Sequence, residues 1–241
     1  MAAAMPAVGQ RDTAPSVLPM AGEIAEPAST EGFEQAAGDF IDDEFSVKSV
    51  AGYLVDRGIR IAICVSPTGD EGSTAAVMLA RTVAETGRKT ILVDMTGSGA
   101  PTRLMAEAPG LPGITDLLTG DAAFAETIHA DRLSDAHLIP QGCADIGRAM
   151  KSAGRLAIIL DALAGAYDLV VVECGPANAA NVRTLMRDRN ADIVVSAGSA
   201  GRSEIDAVVS HFIDAGYEDI VLMIGRDARL PEPGRTQSVF S

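Results

Sequence analysis

Tryptophan is absent from the 241 residues, and tyrosine and phenylalanine number only 3 and 6. The core must therefore be aliphatic. A 47% hydrophobic content rich in Ala, Val, Ile and Leu suits one sizeable α/β domain plus a tail. Basic residues are outnumbered 33 to 19, giving a net charge of −14, which argues against nucleic acid or an anionic membrane surface as a direct partner. The three cysteines, Cys64, Cys143 and Cys174, lack metal-ligand spacing and read as reduced, buried thiols. No apolar run approaches the ~20 residues that span a bilayer, so direct membrane insertion is not expected. The opening Met1-Ala-Ala-Ala-Met-Pro6 has no basic segment, which argues against a secretory signal. His137 and His211 have no paired nucleophile, so a catalytic triad has little support.

Met1 to about Asp43 is rich in Ala, Pro, Glu and Gly, lacks periodicity and reads as a disordered tail or linker with an acidic end. Val47, Val50, Ala51, Leu54 and Val55 are spaced for a helix over Ser46–Arg57, with Gly58 at its C-terminal cap. Apolar runs at Ile61–Ser66, Ile91–Asp94, Leu169–Glu173, Ile193–Ser196 and Ile220–Ile224 predict buried strands, with a further short one at Ala136–Pro140. Helical stretches fall between them at Ser73–Thr86, Arg148–Ala166 (one helix, or two broken near Gly154), Ala179–Arg187 and Ser203–Ala215. This alternation predicts an α/β fold with a doubly wound, mostly parallel sheet over 44–226 and a polar tail at 227–241. Ligands in such sheets bind beyond the carboxyl ends of the strands.

The strand, turn and helix of Ile61–Ala80 have the frame of a phosphate-binding P-loop, in which backbone N–H groups cradle phosphate and a lysine neutralises it. Here Gly69-Asp-Glu-Gly-Ser-Thr74 contains no lysine, and Asp70 and Glu71 should repel a triphosphate. Three further stretches accompany it: Gly113-Ile-Thr-Asp-Leu-Leu-Thr-Gly120, Leu138-Ile-Pro-Gln-Gly142 and Tyr167-Asp-Leu-Val-Val-Val-Glu-Cys-Gly-Pro176. Together, over roughly Ile59 to Ile224, they resemble the bacterial tyrosine autokinases of capsule and exopolysaccharide export. Those belong to the MinD/ParA-like deviant P-loop ATPases.

The resemblance implies a P-loop NTPase-like fold and a cytoplasmic location, membrane-associated through a partner. The implied partner is a membrane polysaccharide co-polymerase or related export component, with homo-oligomerisation as a further option. The departures fall on the chemistry. The phosphate lysine is missing, by deletion or by replacement with Gly72. Thr96 stands where the second acid of the Asp-x-Asp motif belongs, the basic residue before Pro101 is gone, and Glu173 replaces the Walker B aspartate. No tyrosine lies between Gly225 and Ser241 to receive phosphate. The expectation is a degenerate, kinase-like domain with a regulatory or structural role, Mg-ATP or Mg-ADP being bound weakly if at all. The alternative is an active ATPase with a rearranged loop.

The site candidates are Asp94 and Glu173 as inherited catalytic carboxylates, and Gly69, Gly72, Ser73, Thr74 and Arg202 for nucleotide. Thr74 and Asp94 are the metal candidates. Ser73 or Thr74 either holds Mg²⁺ by its hydroxyl or caps the following helix; the missing lysine favours the cap. Asp94 and Glu173 either polarise a metal-bound water or remain as solvated strand-end carboxylates. Arg202 is the best available cation after the Asp192–Ala197 strand. Asn178 and Asn181 should cap the helix after Glu173.

Overall fold

A computed structural model describes residues 45–186, 191–198 and 202–224. The expectations of a disordered tail over 1–43 and of a polar tail over 227–241 lie outside these residues. Seven strands form one sheet in the order β3-β4-β2-β5-β1-β6-β7. They are β1 Ile61–Val65, β2 Thr90–Asp94, β3 His129–Ala130, β4 His137–Ile139, β5 Leu169–Glu173, β6 Ala191–Ser196 and β7 Ile220–Met223. Every pairing is parallel except that of the two-residue edge strand β3 with β4. All the expected strands are present; β3 is not legible in the sequence.

The continuous apolar runs follow from burial on both faces. In β1, Ala62 and Cys64 join one aliphatic cluster, while Ile61, Ile63 and Val65 join the other. The first cluster is closed by α1 (Val47–Asp56), α2 (Asp70–Glu85) and α3 (Ala100–Met105), through residues such as Leu54, Leu79 and Met105. The second is closed by α4 (Ile114–Thr119), α5 (Ile146–Lys151), α6 (Leu156–Ala166), α7 (Ala179–Met186) and α8 (Arg202–Asp214), through Leu117, Leu160, Val182 and Phe212. Each fully buried large aliphatic contributes about 1.5–3 kcal/mol, so this double cover is mainly aliphatic, with Phe212 as its fully buried aromatic.

Helix boundaries follow local chemistry. Ser46 caps α1, accepting from Ser49 N–H at 3.2 Å, and Gly58 turns the chain at φ +65°. The expected break near Gly154 is a 3₁₀ turn, Ala153–Arg155, between α5 and α6. Asn178 and Asn181 exchange side-chain to backbone hydrogen bonds at 3.0 and 3.3 Å at the start of α7. One boundary departs from the sequence reading: α2 begins at Asp70, not Ser73. Asp70 and Glu71 form its first turn, where carboxylates are favoured by the exposed N–H dipoles. Of the cysteines, Cys64 is buried and Cys174 half-buried, but Cys143 is exposed, which corrects the expectation of three buried thiols. Among the described residues no helix is long and apolar enough to cross a membrane.

Candidate functional site

The carboxyl ends of four neighbouring strands converge. β1 leads into the Gly69–Gly72 segment, β2 ends on Asp94, β5 on Glu173 and β6 on Ser196. Asp94 and Glu173 are register partners on adjacent strands, so the structure brings the two predicted carboxylates together. Both are fully buried rather than solvated.

Asp94 is occupied. Its Oδ1 accepts from the Thr96 amide and hydroxyl at 3.0 and 2.7 Å, and its Oδ2 from the Thr102 amide and hydroxyl at 2.9 and 2.6 Å. Four donors on one carboxylate leave it tying the loop after β2, and α3, to the sheet. Thr96, standing in an acid's place, supplies two of those donors.

Glu173 faces the loop. Its Oε1 accepts from the Ser73 hydroxyl at 2.9 Å and the Gly175 amide at 3.0 Å. Burial pushes the carboxyl up to about 7, against the pull of these hydrogen bonds. The Ser66 hydroxyl also pulls this carboxyl down, although neither it nor Oε2 makes a hydrogen bond of regular geometry; the Thr68 hydroxyl is buried without a hydrogen-bond partner. Ser73, not Thr74, therefore occupies the P-loop hydroxyl position. Thr74 back-bonds to the Asp70 carbonyl at 2.9 Å; neither hydroxyl caps α2, whose N-cap is Gly69. Cys64 lies near Glu173, and burial pushes its thiol up, which keeps it protonated and unreactive.

Gly72 decides what the loop can hold. A Cβ there would lie 2.6 Å from Ser66 Cβ, 2.8 Å from Ser66 Oγ and 2.9 Å from the Ser196 carbonyl oxygen. The Ser196 hydroxyl in turn donates to the Gly72 carbonyl at 2.8 Å. Gly198 stands over the same place: a Cβ there would meet the Thr68 hydroxyl at 2.6 Å and Gly72 N at 3.4 Å. The glycine is needed for contact with β6, leaving no room for a lysine at 72. Gly69, at φ +67°, supplies the left-handed turn that starts α2.

The cation at the loop is one the sequence reading passed over. Arg103, two residues beyond Pro101, donates to Asp70 at 2.8 Å and to the Ser98 carbonyl. Arg202 opens α8, and its side chain is outside the described residues. Mg-ATP does not fit this set of residues: the lysine position is filled by packing, Asp94 is saturated, and the β6 end sits on the helix N-terminus.

The Gly113–Gly120 and Leu138–Gly142 stretches form one unit. Asp116 Oδ2 accepts from the amides of Gly113 at 2.8 Å and Cys143 at 2.9 Å. A Cβ on Gly142, where φ is +95°, would overlap the Asp116 carboxylate, and one on Gly113 would overlap the Pro140 carbonyl.

No protein-family model matches the chain, and no curated protein matches it in sequence. Solved structures do match. The kinase domain of Escherichia coli tyrosine kinase ETK aligns with a TM-score of 0.58 at 18% identity, over 78% of this chain and 76% of that one. The BceF tyrosine kinase domain aligns at 0.56 and 18%, over 83% and 90%. The Pyrococcus furiosus cell division ATPase MinD aligns at 0.51 and 19%, over 71% and 74%. Fold, sheet order and the position of the loop after β1 agree on one conclusion: this chain has the P-loop NTPase fold shared by tyrosine kinase domains of this type and MinD-like ATPases.

Proposed function

We propose that this chain is a non-catalytic relative of the tyrosine autokinase domains, acting as a regulatory or structural cytoplasmic component of exopolysaccharide or capsule synthesis and export. The observation that carries the loss of catalysis is Gly72, packed against Ser66 and the Ser196 carbonyl where a phosphate-binding lysine would stand. The saturated Asp94 points the same way. The biological setting rests on the motif resemblance and on tyrosine kinase domains among the structural neighbours. The partner class is a membrane polysaccharide co-polymerase or related export protein.

A second reading keeps one specific observation in its favour. The Thr68 hydroxyl is buried and unpartnered beside the loop, and Glu173 Oε2 makes no hydrogen bond of regular geometry, as polar atoms waiting for a ligand do. It makes the chain a MinD/ParA-like ATPase with a rearranged loop. Incubation with Mg·ATP, followed by phosphate release and phosphotyrosine detection, separates the two. Neither product is expected, and phosphate release lost in Ser73→Ala would favour the ATPase.

A further inference from the structure

A groove of about 460 Å³ lies beside the closed loop, between α3, the 106–111 segment and Gln141-Gly142. That volume falls in the range of roughly 300–1,000 Å³ typical of small-molecule sites. Its charged side chains are Arg103, Arg132 and Glu107. In a chain of net charge −14, two arginines lining one cavity against a single glutamate are a local reversal of sign.

Hydrogen bonds tie α3, Gln141-Gly142 and the backbone at Arg132 in place. Asp94 pins α3 through Thr102, and Thr102 Oγ1 accepts the Gln141 amide at 2.9 Å. Asp116 fixes the backbone next to Gly142. On the other side, Asp131 is fully buried and takes both Arg81 Nε and Nη2 at 2.9 Å, with the Ser134 hydroxyl at 2.7 Å. The next amide, Arg132 N–H, bonds the Met105 carbonyl at 3.0 Å. A buried bidentate ion pair thus holds the backbone from which Arg132 projects. The Arg132 side chain is exposed and has no hydrogen-bond or ion-pair partner among the described residues. Arg103 is held only by the Ser98 carbonyl and by an ion pair with Asp70 whose partners are 59% and 56% exposed. Such a pair contributes little and yields to a better anion.

We infer that this groove binds a small polyhydroxylated anion, a sugar phosphate or a uronic acid. The two guanidinium forks match a phosphate or carboxylate. Glu107 and Gln141 face the same space as hydrogen-bond acceptors for hydroxyl groups. The floor of Ala106, Pro109 and Leu111 takes the apolar side of the ligand. The inference does not depend on the proposed role in export.

The test is amide NMR of the full chain titrated separately with glucose 1-phosphate and glucuronate. The expected result is saturable shifts at Gly99, Gly110 and Gly142 with at least one probe, the two probes distinguishing the anion. Arg132→Gln should weaken binding roughly tenfold to a hundredfold, while Arg88→Gln, a remote exposed cation, binds as the wild type. No saturation by either probe, or equal weakening in both variants, overturns the groove assignment alone. Shifts centred on Gly69, Gly72 and Thr74 overturn both the groove and the closed-loop reading.

Discussion

Replacing Gly72 by alanine places a methyl carbon 2.6 Å from Ser66 Cβ and 2.9 Å from the Ser196 carbonyl oxygen. Neither neighbour is the loose end of a flexible side chain. Ser66 follows β1 directly, and Ser196 is the last residue of β6, hydrogen-bonded back to Gly72. Relief requires moving the loop or the centre of the sheet. Overpacking of this kind costs about 1–3 kcal/mol, and a domain of this size loses roughly 2–4 °C in Tm per kcal/mol. Gly72→Ala should therefore melt about 2–12 °C below the wild type when followed by circular dichroism. Gly72→Lys carries the same Cβ with a longer chain, so it should be destabilised at least as much and should gain no Mg·ATP binding. A lysine inserted between Gly72 and Ser73 lies inside the first turn of α2 and keeps a glycine at 72, but it shifts Ser73 by one helical step away from Glu173; it is expected to be the better route to phosphate binding at a cost in stability. A Gly72→Ala variant as stable as the wild type, or a Gly72→Lys variant that binds Mg·ATP, would refute the packing argument.

Three other perturbations follow from the same geometry. The Glu173 carboxyl ionises near 4.5 when unfolded and near 7 when folded. Between those values the folded state alone keeps the proton, so stability falls as pH rises from about 4.5 to 7, by roughly 3 kcal/mol. Glu173→Gln still accepts from Ser73 and Gly175 and should remove that slope, as urea melts at pH 5 and pH 8 would reveal. Asp94→Asn turns an acceptor into a donor facing either the Thr96 or the Thr102 pair, and should cost about 1–3 kcal/mol in urea unfolding. Arg81→Ala leaves Asp131 buried and unpaired and should cost about 3–5 kcal/mol by the same measurement; a loss below 1 kcal/mol would show that Asp131 finds another partner.

The sheet was legible because its strands are buried on both faces, so Leu169–Glu173 and Ile61–Val65 read as unbroken apolar runs. β3 was not, because two residues at an edge carry no pattern. The convergence of Asp94, Glu173 and the loop after β1 followed from the strand ends alone. What those residues do there did not. The roles of Ser73 and Thr74 turn on which way the first turn of α2 faces, and that turn starts three residues earlier than the periodicity suggested. Asp70 and Glu71 read as repulsive loop charges, yet they are first-turn residues of a helix. Gly72 looked like a lysine's replacement; its tight contact with β6 depends on residues more than a hundred positions away. Arg103 drew no attention because nothing local joins it to Asp70, 33 residues earlier. The Gly113–Gly120 stretch stood out in the sequence: Gly113 and Asp116 now have a packing reason, and Gly120 ends α4 at φ +80°.

Calorimetry of the full chain with Mg·ATP tests the closed loop most directly, run beside the variant with a lysine inserted before Ser73. The expected result is no saturable heat for the wild type at sub-millimolar nucleotide, with binding gained, if anywhere, in the insertion variant. Micromolar affinity in the wild type, accompanied by ATP turnover that Asp94→Ala abolishes, would contradict it and leave an active ATPase.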